Sequence, residues 1–149
     1  MALSNASQTA LLDLIFANTA WANVGDSAGL PGSTTAGDLY VALHTADPGA
    51  AGNQSTSEAA YTGYARVAVS RASGSWTVSG SSPTSISNAA AVTFPACTGG
   101  TETETYFSIG LEASGATPIL VSGALTASLA VSSGITPSFA IGQMTTTVD

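Results

Sequence analysis

Apolar and polar residues alternate along most of this chain with the two-residue period of a half-buried strand. The pattern is clear in Asp38-Leu39-Tyr40-Val41-Ala42-Leu43-His44, where Leu39, Val41 and Leu43 face one way and Tyr40, Ala42 and His44 the other. Residues 61–69 repeat it, with Ala65, Val67 and Val69 opposite Tyr64, Arg66 and Ala68. Residues 75–79 place Trp76 and Val78 together, and residues 85–94 set Ala90, Val92 and Phe94 against Ala91 and Thr93. Residues 103–111 alternate best, with Thr105, Phe107, Ile109 and Leu111 on one side. A long strand is predicted over 119–131, bent or bulged at Gly123, and one or two more over 135–148, broken at Gly142. Asp47-Pro48-Gly49, Ala72-Ser73-Gly74, residues 80–83, Thr98-Gly99-Gly100 and Ser132-Ser133-Gly134 read as turns. About eight strands at short spacing, with no helical pattern between them, predict an all-β fold: a single-domain β-sandwich, jelly roll or barrel.

One stretch has a different period. Residues 4–21 carry Leu11, Leu14, Ile15 and Asn18 at helical spacing, with Leu12 and Phe16 widening the apolar face. Ser4, Asn5 or Ser7 caps this helix. It packs on the sheet or reaches a neighbouring subunit, and Leu11, Leu14, Ile15, Phe16 and Trp21 are its candidate interface residues. Residues 23–37 are a Gly-, Ser- and Thr-rich connection, so the chain divides into a helix and connection over 1–37 and a β domain over 38–149, together one structural unit. The polar loop at residues 50–60, which includes Asn53, is expected to be exposed and to touch neighbours with the helix.

Composition sharpens this picture. The 149 residues are 44% hydrophobic but 7% charged, against roughly 25% for an ordinary domain. There is no lysine, and Arg66 and Arg71 are the only arginines. A neutral, hydroxyl-rich surface does little to oppose association, which favours life packed against copies of itself or a partner. A net charge of −7 argues against a phosphate-backbone or anionic-membrane partner. The single cysteine, Cys97, precludes a disulfide within the chain and reads as a plain, partly buried thiol. No basic leader precedes an apolar segment, and no apolar run approaches the ~20 residues of a membrane helix, so cytoplasmic synthesis without a membrane anchor is expected.

Candidate chemistry is thin. His44 is the sole histidine; it lacks the partners of a zinc site and the Gly-x-Ser-x-Gly elbow of a hydrolase, and reads as a structural residue at a strand end. The acids lie at strand ends and in loops; Glu102 and Glu104 share one face of a strand but fit a solvated edge. A phosphate loop is impossible without lysine. Arg66 and Arg71 pair with acids within the subunit or across an interface. These features point to a non-enzymatic protein with no catalytic residue, cofactor or metal.

Leu39-Tyr40-Val41-Ala42-Leu43-His44-Thr45-Ala46-Asp47-Pro48-Gly49, followed by Tyr61-Thr62-Gly63-Tyr64-Ala65-Arg66-Val67, resembles a family of small virion proteins of tailed bacteriophages and prophages. Phe107-Ser108-Ile109-Gly110, Ser122-Gly123-Ala124-Leu125 and Gly134-Ile135-Thr136-Pro137 are similar to its later landmarks. The resemblance implies a virion structural protein. A small uncharged β domain with an apolar helix suits a capsid cement, or decoration, protein: a homotrimer on the outer capsid surface, bound to the major capsid protein between capsomers. The alternatives are a tail or tail-fibre-associated protein, although no extended repeat is present, and a host-glycan-binding module using Tyr61, Tyr64 and Tyr106.

Overall fold

The computed structural model describes residues 3–80 and 83–148. Part of the turn expected at 80–83 lies outside the described residues. The chain is all-β apart from one N-terminal helix, as its periodicity predicts. It alternates between two compact units, one within Met1–Gly37, Ser70–Ala91 and Ala140–Asp149, the other within Asp38–Val69 and Val92–Phe139.

In the first unit, helix α1 (Asn5–Phe16) is capped by Ser4, whose extended backbone lets its hydroxyl accept the Ser7 N–H. The helix ends five residues earlier than the pattern suggests, because Asn18 turns left-handed at φ 57°. Its buried stripe is Gln8, Leu12 and Phe16, one turn apart; Leu11, Leu14 and Ile15 are only half-buried. The stripe packs on a three-stranded antiparallel sheet of order β3–β4–β9, where β3 is Trp76–Ser79, β4 is Thr84–Asn88 and β9 is Thr145–Val148. Phe16 meets Trp76 edge to face at 5.1 Å. Gln8 is fully buried yet satisfied: its Oε1 accepts the Thr84 N–H and hydroxyl, and its Nε2 donates to the Leu3 carbonyl.

The helix C-terminus is closed by a residue distant in sequence. Arg71 donates from Nε to the Ile15 carbonyl at 2.6 Å and from Nη2 to the Leu14 carbonyl. Its Nη1 reaches the Asn18 and Ser33 side chains. Those carbonyls are among the four that every helix leaves unpaired, and the helix has no basic residue in its own last turn. Arg71 therefore pairs with helix carbonyls, not with an acid.

The second unit holds a four-stranded sheet of order β2–β1–β6–β7, with β1 Asp38–His44, β2 Val67–Ser70, β6 Thr101–Gly110 and β7 Ile119–Ser132. A two-stranded ribbon accompanies it, β5 Val92–Thr93 and β8 Ser138–Phe139. Residues 61–66 are irregular where the alternation predicts strand, and residues 85–94 form two strands, β4 and β5, instead of one. Register pairs Val41 with Ile109 and Leu43 with Phe107, placing these four side chains on one face. Phe139 of the ribbon packs edge to face on Phe107 at 5.5 Å and on Phe94 at 6.2 Å, and Tyr64 stacks on Phe94.

Gly123 is not a bend. It lies directly opposite Phe107, and a Cβ there would stand 2.9 Å from the Phe107 ring. The bulges lie elsewhere in β7: the register slips at Leu120 and again over residues 125–128. Gly123 is thus the floor on which a core aromatic rests. Gly123→Ala should lower stability by about 1–3 kcal/mol through overpacking, while Ser122→Ala, at an exposed neighbour, should leave it unchanged. Chemical denaturation of the three proteins checks this.

Candidate functional site

In the second unit, polar side chains gather around Arg66, whose side chain is 1% exposed. The irregular segment 61–66 delivers it, and the loop 50–60 meets it. Its Nε donates to Glu58 Oε1 at 2.6 Å and its Nη2 to Glu58 Oε2 at 2.8 Å, a bidentate ion pair. Its Nη1 donates to Gln54 Oε1 at 3.2 Å and to the Glu112 carbonyl, and Nη2 to the Gly115 carbonyl. Hydrogen bonding to Glu58 raises the Arg66 pKa further, so the charge is permanent. Glu58 Oε1 also accepts the Tyr64 hydroxyl, whose oxygen in turn accepts the Leu43 N–H. Burial above all pushes the Tyr64 phenol up and keeps it neutral.

Gln54 links this pair to the sheet. It is fully buried, not exposed as the loop's polarity suggests. Its Nε2 donates to the Tyr40 carbonyl at 2.8 Å, and its Oε1 accepts the Thr117 hydroxyl at 3.0 Å. It fits because position 110 is glycine; a Cβ there would lie 2.2 Å from the Gln54 amide carbon. Next to it, His44 has no solvent exposure. Its Nδ1 is 2.8 Å from the Thr56 carbonyl, which only accepts, so Nδ1 carries the proton and Nε2 accepts the Ser108 hydroxyl at 2.7 Å. Burial lowers the His44 pKa and holds the ring neutral. A serine–histidine contact therefore exists, but it is sealed from solvent and the histidine is oriented by a carbonyl instead of a carboxylate. Its chemistry is cohesion: it ties the loop to β1 and β6.

One acid on β6 is buried. Glu104 is fully buried, and neither of its carboxyl oxygens meets a hydrogen-bond donor among the described residues. Glu102, two residues away on the same strand face, accepts the Ala60 and Tyr61 N–H groups at 2.8–3.2 Å. Burial first, then the neighbouring Glu102, pushes the Glu104 carboxyl up to about 8. Its neutral form is the stable one at neutral pH.

The other candidates are placed as follows. Phe16 lies inside its unit, and Trp21 is half-buried. Arg66 and Arg71 spend their donors within the chain. Tyr61 is buried, its hydroxyl bound to the Pro95 carbonyl, and burial pushes it up to about 12; Tyr106 is half-buried. Cys97 is buried, its thiol directed to the Gly99 carbonyl. An open cleft of about 450 Å³ in the first unit is lined by Asn5, Thr9, Asp13, Thr19, Trp21 and Gly80 among others. No group of three or more His, Cys, Asp or Glu residues suited to a metal occurs among the described residues. Among them, no helix is long and apolar enough to cross a membrane.

Gln54 and Ser108 are the network members that strand alternation does not single out, and Glu104 is buried without a hydrogen-bond partner among the described residues. Their signal was indirect: a chain with so few charges has an arginine and two glutamates in or beside strands.

Two outcomes are expected. Arg66→Met should cost roughly 3 kcal/mol, because Glu58 loses its partner, and Glu58→Gln in the same chain should restore much of that; thermal and chemical denaturation of the single and double variants measures it. For Glu104, the native state holds a proton that the unfolded chain releases above its ordinary value of 4.5. Stability from this group is therefore full below that value and is lost as pH rises toward about 8. Glu104→Gln should melt close to the parent at pH 4.5, gain on it steadily up to pH 8, and level off above.

No curated protein matches the chain. The family model for podophage GP4 fiber I protein gp80 matches residues 2–147, almost the whole chain. The chain therefore belongs to the Gp80 family, and it is a fibre-related structural protein of a tailed phage.

Proposed function

We propose that this protein is a structural subunit associated with the tail fibre, and not a cement protein between capsomers. The observation that carries it is the family match, which spans both units and whose description names a fibre protein. The side-chain geometry supports a mechanical part. The described reactive groups that were candidates for chemistry, His44, Ser108, Cys97 and the Arg66–Glu58 pair, are sealed in the interior or bound to one another. The polar residues of the chain are mostly serine and threonine, with few charges, which suits contact with other proteins.

A fibre assignment also accommodates the missing repeat. A chain of this size serves as an adaptor or a stacked subunit and leaves the length of the fibre to repetition or to another protein. The capsid reading rested on size and low charge, which a fibre subunit shares, so nothing now favours it.

Localisation tests this directly. Gold-labelled antibody against this chain should decorate the tail fibres of the parent virion, and a density map of the tail should accommodate both units. Labelling spread over the head with bare fibres would overturn the proposal in favour of capsid decoration.

A further inference from the structure

The long strand β7 is an edge of its sheet. It pairs with β6 along one side, and no strand follows it on the other. Among the described residues, no main-chain N–H or C=O of residues 119–131 bonds to anything beyond β6. A row of unpaired backbone groups facing water is a template for another strand, and proteins normally blunt it with lysine, proline, bulges or a short strand. Of these defences β7 has only its bulges: it runs 14 residues, ILVSGALTASLAVS, with no charge and no proline. Only Val131 is buried, and Leu120 is 37% exposed. The bulges at Leu120 and 125–128 leave residues 121–124 as a regular stretch open along its outer edge.

Charge indicates the partner. The chain carries −7, so two copies repel wherever their acids approach. Yet residues 113–148 contain no charged side chain at all; the nine acids and two arginines lie outside that span. The β7 edge lies within this uncharged span, so like copies meet there with little repulsion. Pairing β7 with β2 of the next copy, the sheet's other edge, would be head to tail and would leave an edge open at each end. A strand paired with its own copy about a two-fold axis runs antiparallel and needs no second surface.

We propose that two copies of this protein associate through β7, with residues 121–124 of each running antiparallel to those of the other, to form one continuous sheet across the dimer. This concerns self-association and holds wherever the protein sits in the virion, so it stands or falls separately from the fibre assignment.

The test is mass in solution. The full chain should sediment at twice its 14.6 kDa mass. Ser122→Lys/Ala124→Lys, at two exposed positions, should halve the observed mass while the circular dichroism and melting profile stay those of the parent. Ser122→Glu/Ala124→Glu should do the same, and mixing the lysine and glutamate proteins should restore the dimer. Amide exchange of residues 121–124 should be slower in the parent than in either variant. A parent that is monomeric, a dimer or trimer that survives the lysine pair, a parent trimer, or open fibrils in place of a closed dimer would each overturn the proposal. If the lysine pair unfolds the chain, the exchange of 121–124 in the parent, measured across dilution, decides: concentration-independent exchange overturns it.

Discussion

The buried Arg66–Glu58 pair is what the second unit is assembled around. A guanidinium inside a protein is tolerable only if its donors are met and its charge is answered. Meeting that requirement draws in Glu58 and Gln54 from one loop, and the Glu112 and Gly115 carbonyls from the turn before β7. Tyr64 then bridges Glu58 to β1, and Gln54 passes the constraint to Tyr40. A segment without regular hydrogen bonding of its own is thereby given one conformation. In a protein that lacks disulfides and contains little charge, such a network selects a single arrangement where generic apolar burial would allow several.

The two sides of the central sheet solve different problems. One side is apolar and aromatic, with Phe107 seated over Gly123 and Phe139 over Phe107. The other carries His44 and Ser108, both fully buried. Register explains the division: Ala42 faces Ser108 and His44 faces Tyr106 on one side, while Val41 and Leu43 face Ile109 and Phe107 on the other. Nearly every polar atom there is matched. Glu104 is the exception, and it resolves its burial by keeping its proton. Groups that would look reactive in isolation are thus consumed in holding the fold, which accords with a structural member of a fibre-related family.

Period-two alternation was sufficient to find β1, β3, β6 and β7. It failed at residues 61–66, where Tyr61, Tyr64 and Arg66 alternate for a different reason: they are anchored side chains of an irregular segment. It merged β4 with β5, since Asn88 and Val92 are both buried while the chain between them turns; Asn88 there binds the Ala90 and Ala140 carbonyls and the Met144 N–H. The helix was legible, but its buried stripe is Gln8-Leu12-Phe16 and not the Leu11-Leu14-Ile15 set, because a glutamine hidden by hydrogen bonds looks hydrophilic in a sequence. Of the polar network only Arg66 and His44 stood out, being rare residue types. Gln54 and Ser108 are ordinary in a chain rich in polar residues, and only the fold brings them together.

Arg71 and Arg66 are the only side-chain cations, and both are engaged: one meets the negative end of a helix, the other a glutamate. Glu58 neutralises Arg66, while Arg71 keeps its charge among neutral partners. Acids nevertheless outnumber arginines nine to two, so the field at a distance is mainly negative. Dissolved salt then acts on encounters between copies mainly by screening repulsion. The repulsion between copies of a protein of this kind is strongest in dilute salt and fades as ionic strength rises. Any contact between copies is in this way coupled to its surroundings without a titrating switch.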